Sequence, residues 1–243
     1  MGRLTLLRLL QGIPVLLIVV GITFFLVRAA PGGPFDAERT LPPEVLKNLE
    51  QRYNLDAPPH RQFLDYLGGL LQGDFGPSFR YPNRSVNELI ASGFPITLEL
   101  ACYAILVALA IGVLAGLLAA VHRGRILDHL PMGLAMAGIC LPAFLLGPLL
   151  VLVFGIWLEW LPVSGWGYSP GDKILPTLTL GMAYAAYIAR LTRGGMLEVL
   201  GQDFIVTARA KGLPMPLILF KHALRGGLAP VVAFLGPALA GLL

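Results

Sequence analysis

The stretch GQDFIVTARAKGLPMPLILFKHALRGGLAP, residues 201–230, decides the architecture because it is a charged segment between two apolar ones. Its pattern predicts one short helix over residues 202–211, on one side of a membrane. Asp203 can cap that helix, and its negative charge suits the positive N-terminal end of the helix dipole. Gly212 fits the left-handed position after the last turn, and Pro214 prevents continuation. Such a helix, tied to membrane spans at both ends, could carry force from a soluble partner to those spans.

One face of this predicted helix carries Phe204, Thr207, Ala208 and Lys211, with Arg209 beside it. An aromatic anchor with basic neighbours suits insertion into a groove on a soluble partner. The alternative is a loop helix lying on lipid head groups, which its basic residues would also favour.

The composition of the chain predicts an all-α, polytopic membrane protein. Hydrophobic residues make up 56% of the 243 residues, charged residues make up 13%, and the mean hydropathy is +0.74. Soluble domains contain roughly 45–50% apolar residues. A membrane-spanning helix needs about 20 mostly apolar residues, and five stretches qualify or come close: 9–27, 96–121, 131–158, 174–189 and 228–243. The fifth reaches the last residue, so we expect at least one further helix beyond it.

The first stretch could be mistaken for a signal peptide, since Arg3 and Arg8 precede it. Its 19 uncharged residues exceed the usual apolar region of about 7–15 residues. We therefore predict a retained span.

Loop charges predict the orientation of the spans. With a cytoplasmic N-terminus, the inner segments hold ten basic and three acidic residues, whereas the outer loops hold seven basic and ten acidic residues. The net charge of +4 is then a topological bias and not a sign of nucleic-acid binding. The expected organisation is a cytoplasmic tip with the first span (1–29), an extracytoplasmic helical region (30–95), and a core transmembrane region (96–243) with a cytoplasmic coupling loop (190–228).

The extracytoplasmic region is expected to contain helices over residues 44–55 and 59–71, followed by a capping box formed by Ser85 and Glu88. It would be either a small helical cap on the membrane or a docking platform for an extracytoplasmic partner.

Small residues recur at every fourth position of the second apolar stretch. Since lipid offers little hydrophobic force between helices, close approach through small residues drives their packing. This spacing predicts a tight helix–helix seam in a bundle, made by Ala104, Ala108, Gly112, Gly116 and Ala120. Glu99 lies in the same stretch, near its start, where a local structural role is favoured over a place in a substrate path.

The chain lacks several common catalytic motifs. It contains no Gly-Lys pair, so it lacks the phosphate-binding loop of the GxxxxGK[ST] kind. Its histidines lack metalloprotease spacing, and its two cysteines fit neither a disulfide framework nor a metal cluster. We expect no catalytic, cofactor or metal site, and a transport path that is powered from elsewhere.

Several motifs resemble those of one transporter family. TARAKGL followed by HALR is similar to the signature loop of ABC importer permeases in the dipeptide/oligopeptide family, whose general form is EAA, three residues and Gly. Gly212 and Ala208 match that pattern, whereas Val206 and Thr207 replace its Glu and first Ala. Ordered matches elsewhere extend the resemblance over most of the chain, most closely to the B-type subunit: RAAPGGPF, ERTLPPEV, GDFGPSF, MGLAM, WLPVSGWG and RLTRGGMLEVL.

The resemblance implies a type I importer fold with six spans, of which five are visible here. It also implies a second permease subunit, two cytoplasmic ATPases that hydrolyse the ATP, an extracytoplasmic peptide-binding protein and a peptide substrate in the bacterial inner membrane. The coupling helix that enters one ATPase would comprise Asp203, Phe204, Thr207, Ala208, Arg209, Ala210, Lys211 and Gly212. Importers of di/tripeptides, nickel or glutathione are the alternatives within the family, and a secondary carrier or channel is the alternative outside it.

Overall fold

The computed structural model describes residues 2–29, 57–78, 81 and 84–243, and every regular element in these ranges is a helix. The all-α fold class is therefore confirmed. The chain divides into two compact units, Met1–Gly93 and Phe94–Leu243. In chain order the elements are α1 (Gly2–Ala29), α2 (Pro59–Leu71), α3 (Val86–Val121), α4 (Ile126–Cys140), α5 (Ala143–Leu150), the π-helix π1 (Val151–Trp157), α6 (Ile174–Leu200), α7 (Asp203–Ala210), α8 (Met215–Leu217), the π-helix π2 (Ile218–Ala223), α9 (Leu224–Gly227) and α10 (Ala229–Leu242).

In the first unit, α2 packs against the end of α1 through aromatic rings. Phe24 is buried, and its ring centroid lies 5.1 Å from that of Phe63 and 5.8 Å from that of Tyr66. The guanidinium carbon of Arg28 lies 3.6 Å from the centroid of Phe24, and Arg28 Nε donates to Gln62 Oε1 at 2.8 Å. This contact fixes the charged end of the first apolar helix.

Two local predictions for this unit are confirmed. The helix expected over residues 59–71 has those bounds as α2. The capping box is formed, because the Glu88 backbone N–H donates to Ser85 Oγ at 3.1 Å and the Ser85 N–H donates to Glu88 Oε2 at 3.4 Å. The helix predicted over residues 44–55 and the motif ERTLPPEV lie outside the described residues.

Three described helices are long and apolar enough to cross a membrane, namely Leu6–Ala29, Val86–Val121 and Ile174–Leu200. The number is four when Met215–Gly227 and Ala229–Leu242, which meet at a bend of 48°, are counted as one broken span.

The stretch predicted as the third span, 131–158, is not one continuous helix. α4 ends at Cys140, Pro142 is extended with φ −62° and ψ 144°, and the chain becomes helical again at Ala143. Proline has no backbone N–H, and its ring disfavours the helical conformation of the residue before it, Leu141. The result is two shorter apolar helical pieces.

The helix that contains the fourth apolar stretch, 174–189, continues beyond the end of that stretch. α6 continues to Leu200 and includes Arg190 and Arg193. Arginine has a high helix propensity, so these charges end the apolar run without ending the helix.

α6 is the central element of the second unit, since α4, α5, α9 and α10 all pack against it. One buried cluster joins Ala108 of α3, Ala185 and Ile188 of α6, and Val231 of α10. The core of this unit is therefore built around small side chains on α6, and a second cluster lies at the end of α6 that leads into α7.

Candidate coupling site

A very short connection links α7 to α6. Gly201 ends α6, and Gln202 takes an extended conformation with ψ 152° before α7 begins at Asp203. The Gln202 N–H donates to the carbonyl of Val199 at 3.1 Å, and the Gln202 carbonyl accepts from the Ile205 N–H at 3.0 Å. The backbone of the connection is thus hydrogen-bonded to both helices.

The inner face of α7 is packed into the protein. Ile205 is fully buried and Ala208 is 7% exposed. They belong to a cluster that brings together the end of α3, the end of α6 and the helix after the loop, through Ala120, Met196, Val199, Ile218, Leu219 and Ala223. α7 therefore rests on the place where three other elements meet.

The turn after α7 depends on Gly212. Its φ is +75°, the left-handed conformation that most residues avoid. Its N–H donates to the carbonyl of Arg209 at 2.9 Å, and the Leu213 N–H donates to the carbonyl of Ala208 at 3.3 Å. A Cβ on Gly212 would meet nothing within 4 Å, so the demand for glycine comes from the backbone and not from crowding.

The rest of the surface of α7, its outer face, carries apolar side chains that are about half exposed. Phe204 is 47% exposed and Val206 is 58% exposed. Thr207, Arg209, Ala210 and Lys211 are exposed as well. This pairing of apolar and basic groups is what a docking surface for a soluble partner offers.

The residues predicted for the partner-facing side of α7 are not all exposed, and Asp203 does not cap the helix. Phe204 and Ala208 lie one turn apart on the same side, but Ala208 is buried in the cluster whereas Phe204 is 47% exposed. Asp203 is the first residue of α7 and not its cap, since Gln202 holds the capping position without a side-chain hydrogen bond. The Asp203 carboxylate still lies in the first turn, where its charge favours the helix dipole.

The five residues predicted as a packing seam all lie buried along α3: Ala104, Ala108, Gly112, Gly116 and Ala120. A Cβ built on Gly112 would lie 2.6 Å from the Ala185 carbonyl oxygen, and one on Gly116 would lie 2.5 Å from that of Ala189. α3 and α6 therefore approach so closely at these glycines that no side chain fits between them.

A second close approach, between α6 and α9, was not predicted. A Cβ on Gly195 would collide with the carbonyl oxygen of Gly227, and one on Gly227 would collide with the sulfur of Met196. The sequence did carry a signal, because Gly-Gly pairs at 194–195 and 226–227 flank the segment that contains α7.

An ion pair that was also not predicted ties the start of α4 to α6. Arg193 Nε and Nη2 donate to the two oxygens of Asp128 at 2.6 and 2.8 Å, and the Gly124 N–H donates to Asp128 Oδ2 at 2.9 Å. Asp128 is only 2% exposed. The hydrogen bonds from Arg193 and Gly124 hold the pKa of the Asp128 carboxyl well below its usual range.

Glu99 has a specific partner at the opposite end of α6. Its carboxylate is bonded to the ammonium of Lys173, which directly precedes α6. The Lys173 nitrogen lies 5.2 Å from the ring centroid of Trp166 and 5.9 Å from that of Tyr103. The hydrogen bond with Glu99 raises the pKa of Lys173. α3 begins at Val86, well before the apolar stretch that starts at residue 96, so Glu99 lies beyond the first turn of its helix.

Comparison with known proteins defines the class to which this arrangement belongs. Residues 112–243 match the family described as binding-protein-dependent transport system inner membrane component, and residues 1–101 match the N-terminal part described for the same systems. The chain belongs to this family of membrane permeases.

Individual relatives narrow the resemblance. The chain is 50% identical over 237 residues to the oligopeptide transport system permease protein OppB of Salmonella typhimurium, which covers 97% of this chain and 78% of that protein. It is 48% identical over 237 residues to the protein of the same name from Haemophilus influenzae, again covering 97% of this chain and 78% of that protein. It is 43% identical over 228 residues to the dipeptide transport system permease protein DppB of Bacillus subtilis, covering 94% of this chain and 74% of that protein.

Proposed function

We propose that the chain is a membrane-spanning permease subunit of an ATP-driven importer of oligopeptides. The 50% identity to an oligopeptide permease, against 43% to a dipeptide permease, supports the longer peptides as substrate. Di/tripeptides, nickel and glutathione remain the alternatives within the family. Family membership argues against the secondary carrier or channel, because a binding-protein-dependent system takes its substrate from a soluble receptor.

The partners follow from this proposal. A second permease subunit supplies the other half of the translocation path, two cytoplasmic ATPases hydrolyse ATP, and an extracytoplasmic receptor delivers the peptide. The chain itself then performs no catalysis. The excess of basic residues in the inner segments supports a cytoplasmic N-terminus and a cytoplasmic α7.

In this proposal α7 is the coupling helix, and one observation carries it. Its inner face packs through Ile205 and Ala208 against the ends of α3 and α6, while Phe204 and Val206, which flank that face on either side, are exposed. An ATPase that holds the outer face would therefore move the membrane helices through the inner face. ATP binding would close the two ATPases, shift α7 and switch the bundle from inward-facing to outward-facing.

Cysteine cross-linking between α7 and an ATPase tests this. Cys102 and Cys140 are first replaced with serine in the complete transporter, and single cysteines are then placed at Val206 or at Ala208. We expect nucleotide-dependent cross-links to an ATPase cysteine from position 206 and none from the buried position 208. Cross-linking from neither position in any nucleotide state would refute the coupling role, and equal cross-linking from both would refute the assignment of the two faces.

A further inference from the structure

A groove between α4 and α6 is not used by the proposed coupling mechanism. Its volume is about 340 Å³, and its walls are Asp128, His129, Met132 and Met136 from α4 and Arg190 and Arg193 from α6. It lies at the end of the two helices where the Asp128–Arg193 ion pair joins them.

The rim of the groove has an uncompensated positive charge. Arg193 is neutralised by Asp128, but Arg190 has no carboxylate within ion-pair distance in the described part of the chain. Arg190 is exposed, three residues before Arg193 on α6, and its guanidinium carbon lies 5.6 Å from the ring centroid of Tyr187. His129 is exposed on the facing wall. The rim can therefore bind an anionic oxygen group with one permanent cation and one imidazole.

The walls become apolar along the helix axis. Met132 and Met136 follow Asp128 at intervals of four residues on one face of α4, and Met136 is 47% exposed. At 1.5 Å per residue, Met136 lies about 12 Å along α4 from Asp128. Methionine side chains are flexible and adapt to irregular apolar ligands. The groove thus offers a cationic end and a flexible apolar run.

The charges of the groove also select among ligands. Its one carboxylate, Asp128, is only 2% exposed and already accepts three hydrogen bonds, so it is poorly placed to bind an ammonium group. A zwitterionic peptide would leave its ammonium without a partner there. A ligand with a single anionic head and an apolar tail has no such group.

We propose that this groove binds an anionic phospholipid, with its phosphate between Arg190 and His129 and an acyl chain along Met132 and Met136. Basic pockets between membrane helices commonly bind such head groups. The lipid would bridge α4 and α6 beside the ion pair, at the end of α6 that leads into α7.

Native mass spectrometry of the complete transporter tests the proposal. The complex is titrated with phosphatidylglycerol and, separately, with phosphatidylcholine of the same acyl chains. We expect wild type to retain phosphatidylglycerol in preference. Arg190→Ala should weaken that binding about fivefold, which corresponds to about 1 kcal/mol for a basic residue at an anionic membrane surface.

Three further variants complete the design. Arg190→Lys keeps the charge and should keep most of the binding, whereas Met136→Asp should repel the lipid with Arg190 intact. Arg123→Ala removes an exposed cation from the turn before α4, outside the groove, and should bind like wild type. Equal retention of the two lipids, unchanged binding by Arg190→Ala, or displacement of phosphatidylglycerol by a free tripeptide would each overturn the proposal.

Discussion

Adding one methyl group at Gly116 should measurably destabilise the permease. The Cβ of Gly116→Ala would lie 2.5 Å from the Ala189 carbonyl oxygen and 2.6 Å from Thr192 Cβ. Ordinary contact needs about 3.4–4 Å, and the Ala189 oxygen belongs to the α6 backbone, so the helices must separate by roughly 1 Å. Overpacking of this kind costs about 1–3 kcal/mol.

Gly133 provides the matched control for this prediction. It is an exposed glycine inside α4 with nothing within 4 Å of a built Cβ, so Gly133→Ala keeps the gain in helix propensity without the collision. Both variants are made as fluorescent-protein fusions, heated, and measured by the loss of the monodisperse peak in size-exclusion chromatography. At about 2–4 °C per kcal/mol, the midpoint of Gly116→Ala should fall by several degrees while that of Gly133→Ala should not. Equal midpoints would refute the seam as a site of backbone contact.

Three other substitutions test the turn after α7, the Asp128–Arg193 ion pair and the connection between α6 and α7. Gly212→Val should leave the transporter inserted and assembled but impair peptide uptake, because a left-handed conformation costs about 1–2 kcal/mol in other residues; uptake at the wild-type rate per inserted complex would contradict this. Asp128→Asn should lower the free energy of unfolding by about 2 kcal/mol. Breaking a fully buried ion pair costs about 3–5 kcal/mol, but the Arg193 side chain is 31% exposed, so the loss here is smaller. Adding Arg193→Met should recover part of the lost stability. The pKa of Asp128 in the folded protein lies below the ordinary 3.8, so the ion pair stabilises the fold fully above pH 3.8 and loses that effect only as the pH falls below this value. The thermal midpoint of Asp128→Asn should therefore fall by the same amount at pH 7 and at pH 5. Gly201→Ala should keep transport, because Gly201 has φ −86° and a Cβ there would make ordinary contacts of 3.5 Å and longer; loss of uptake would show that this position must bend.

Features set by neighbouring residues could be predicted from the sequence. The bounds of α7 were correct to within one residue at each end, and the positive φ of Gly212 was expected from a glycine followed closely by Pro214. The Ser85–Glu88 capping box was equally local. In each of these cases the physical cause lies within a few residues of its effect.

Features set by contacts between distant elements could not be predicted in the same way. Ala208 turns inward because π2 lies beneath it, and helical spacing alone could not show that. Asp128 and Arg193 are 65 residues apart and were both counted as loop charges. The break at Pro142 was visible as a proline within an apolar run, but proline is tolerated in many membrane helices, so its effect depended on the surroundings.

The glycine contacts bear directly on how a displacement of α7 would spread. Side chains between two helices can change rotamer and absorb a small shift, but Gly116 against the Ala189 carbonyl and Gly195 against the Gly227 carbonyl leave no side chain to adjust. α6 is therefore held by near-backbone contact on two sides, and only Gly201 and Gln202 separate it from α7. Because close-packed interiors transmit strain instead of yielding, a force on α7 should move α6, α3 and α9 together. Local bending near α7 is the competing account, and the behaviour of Gly201→Ala separates the two.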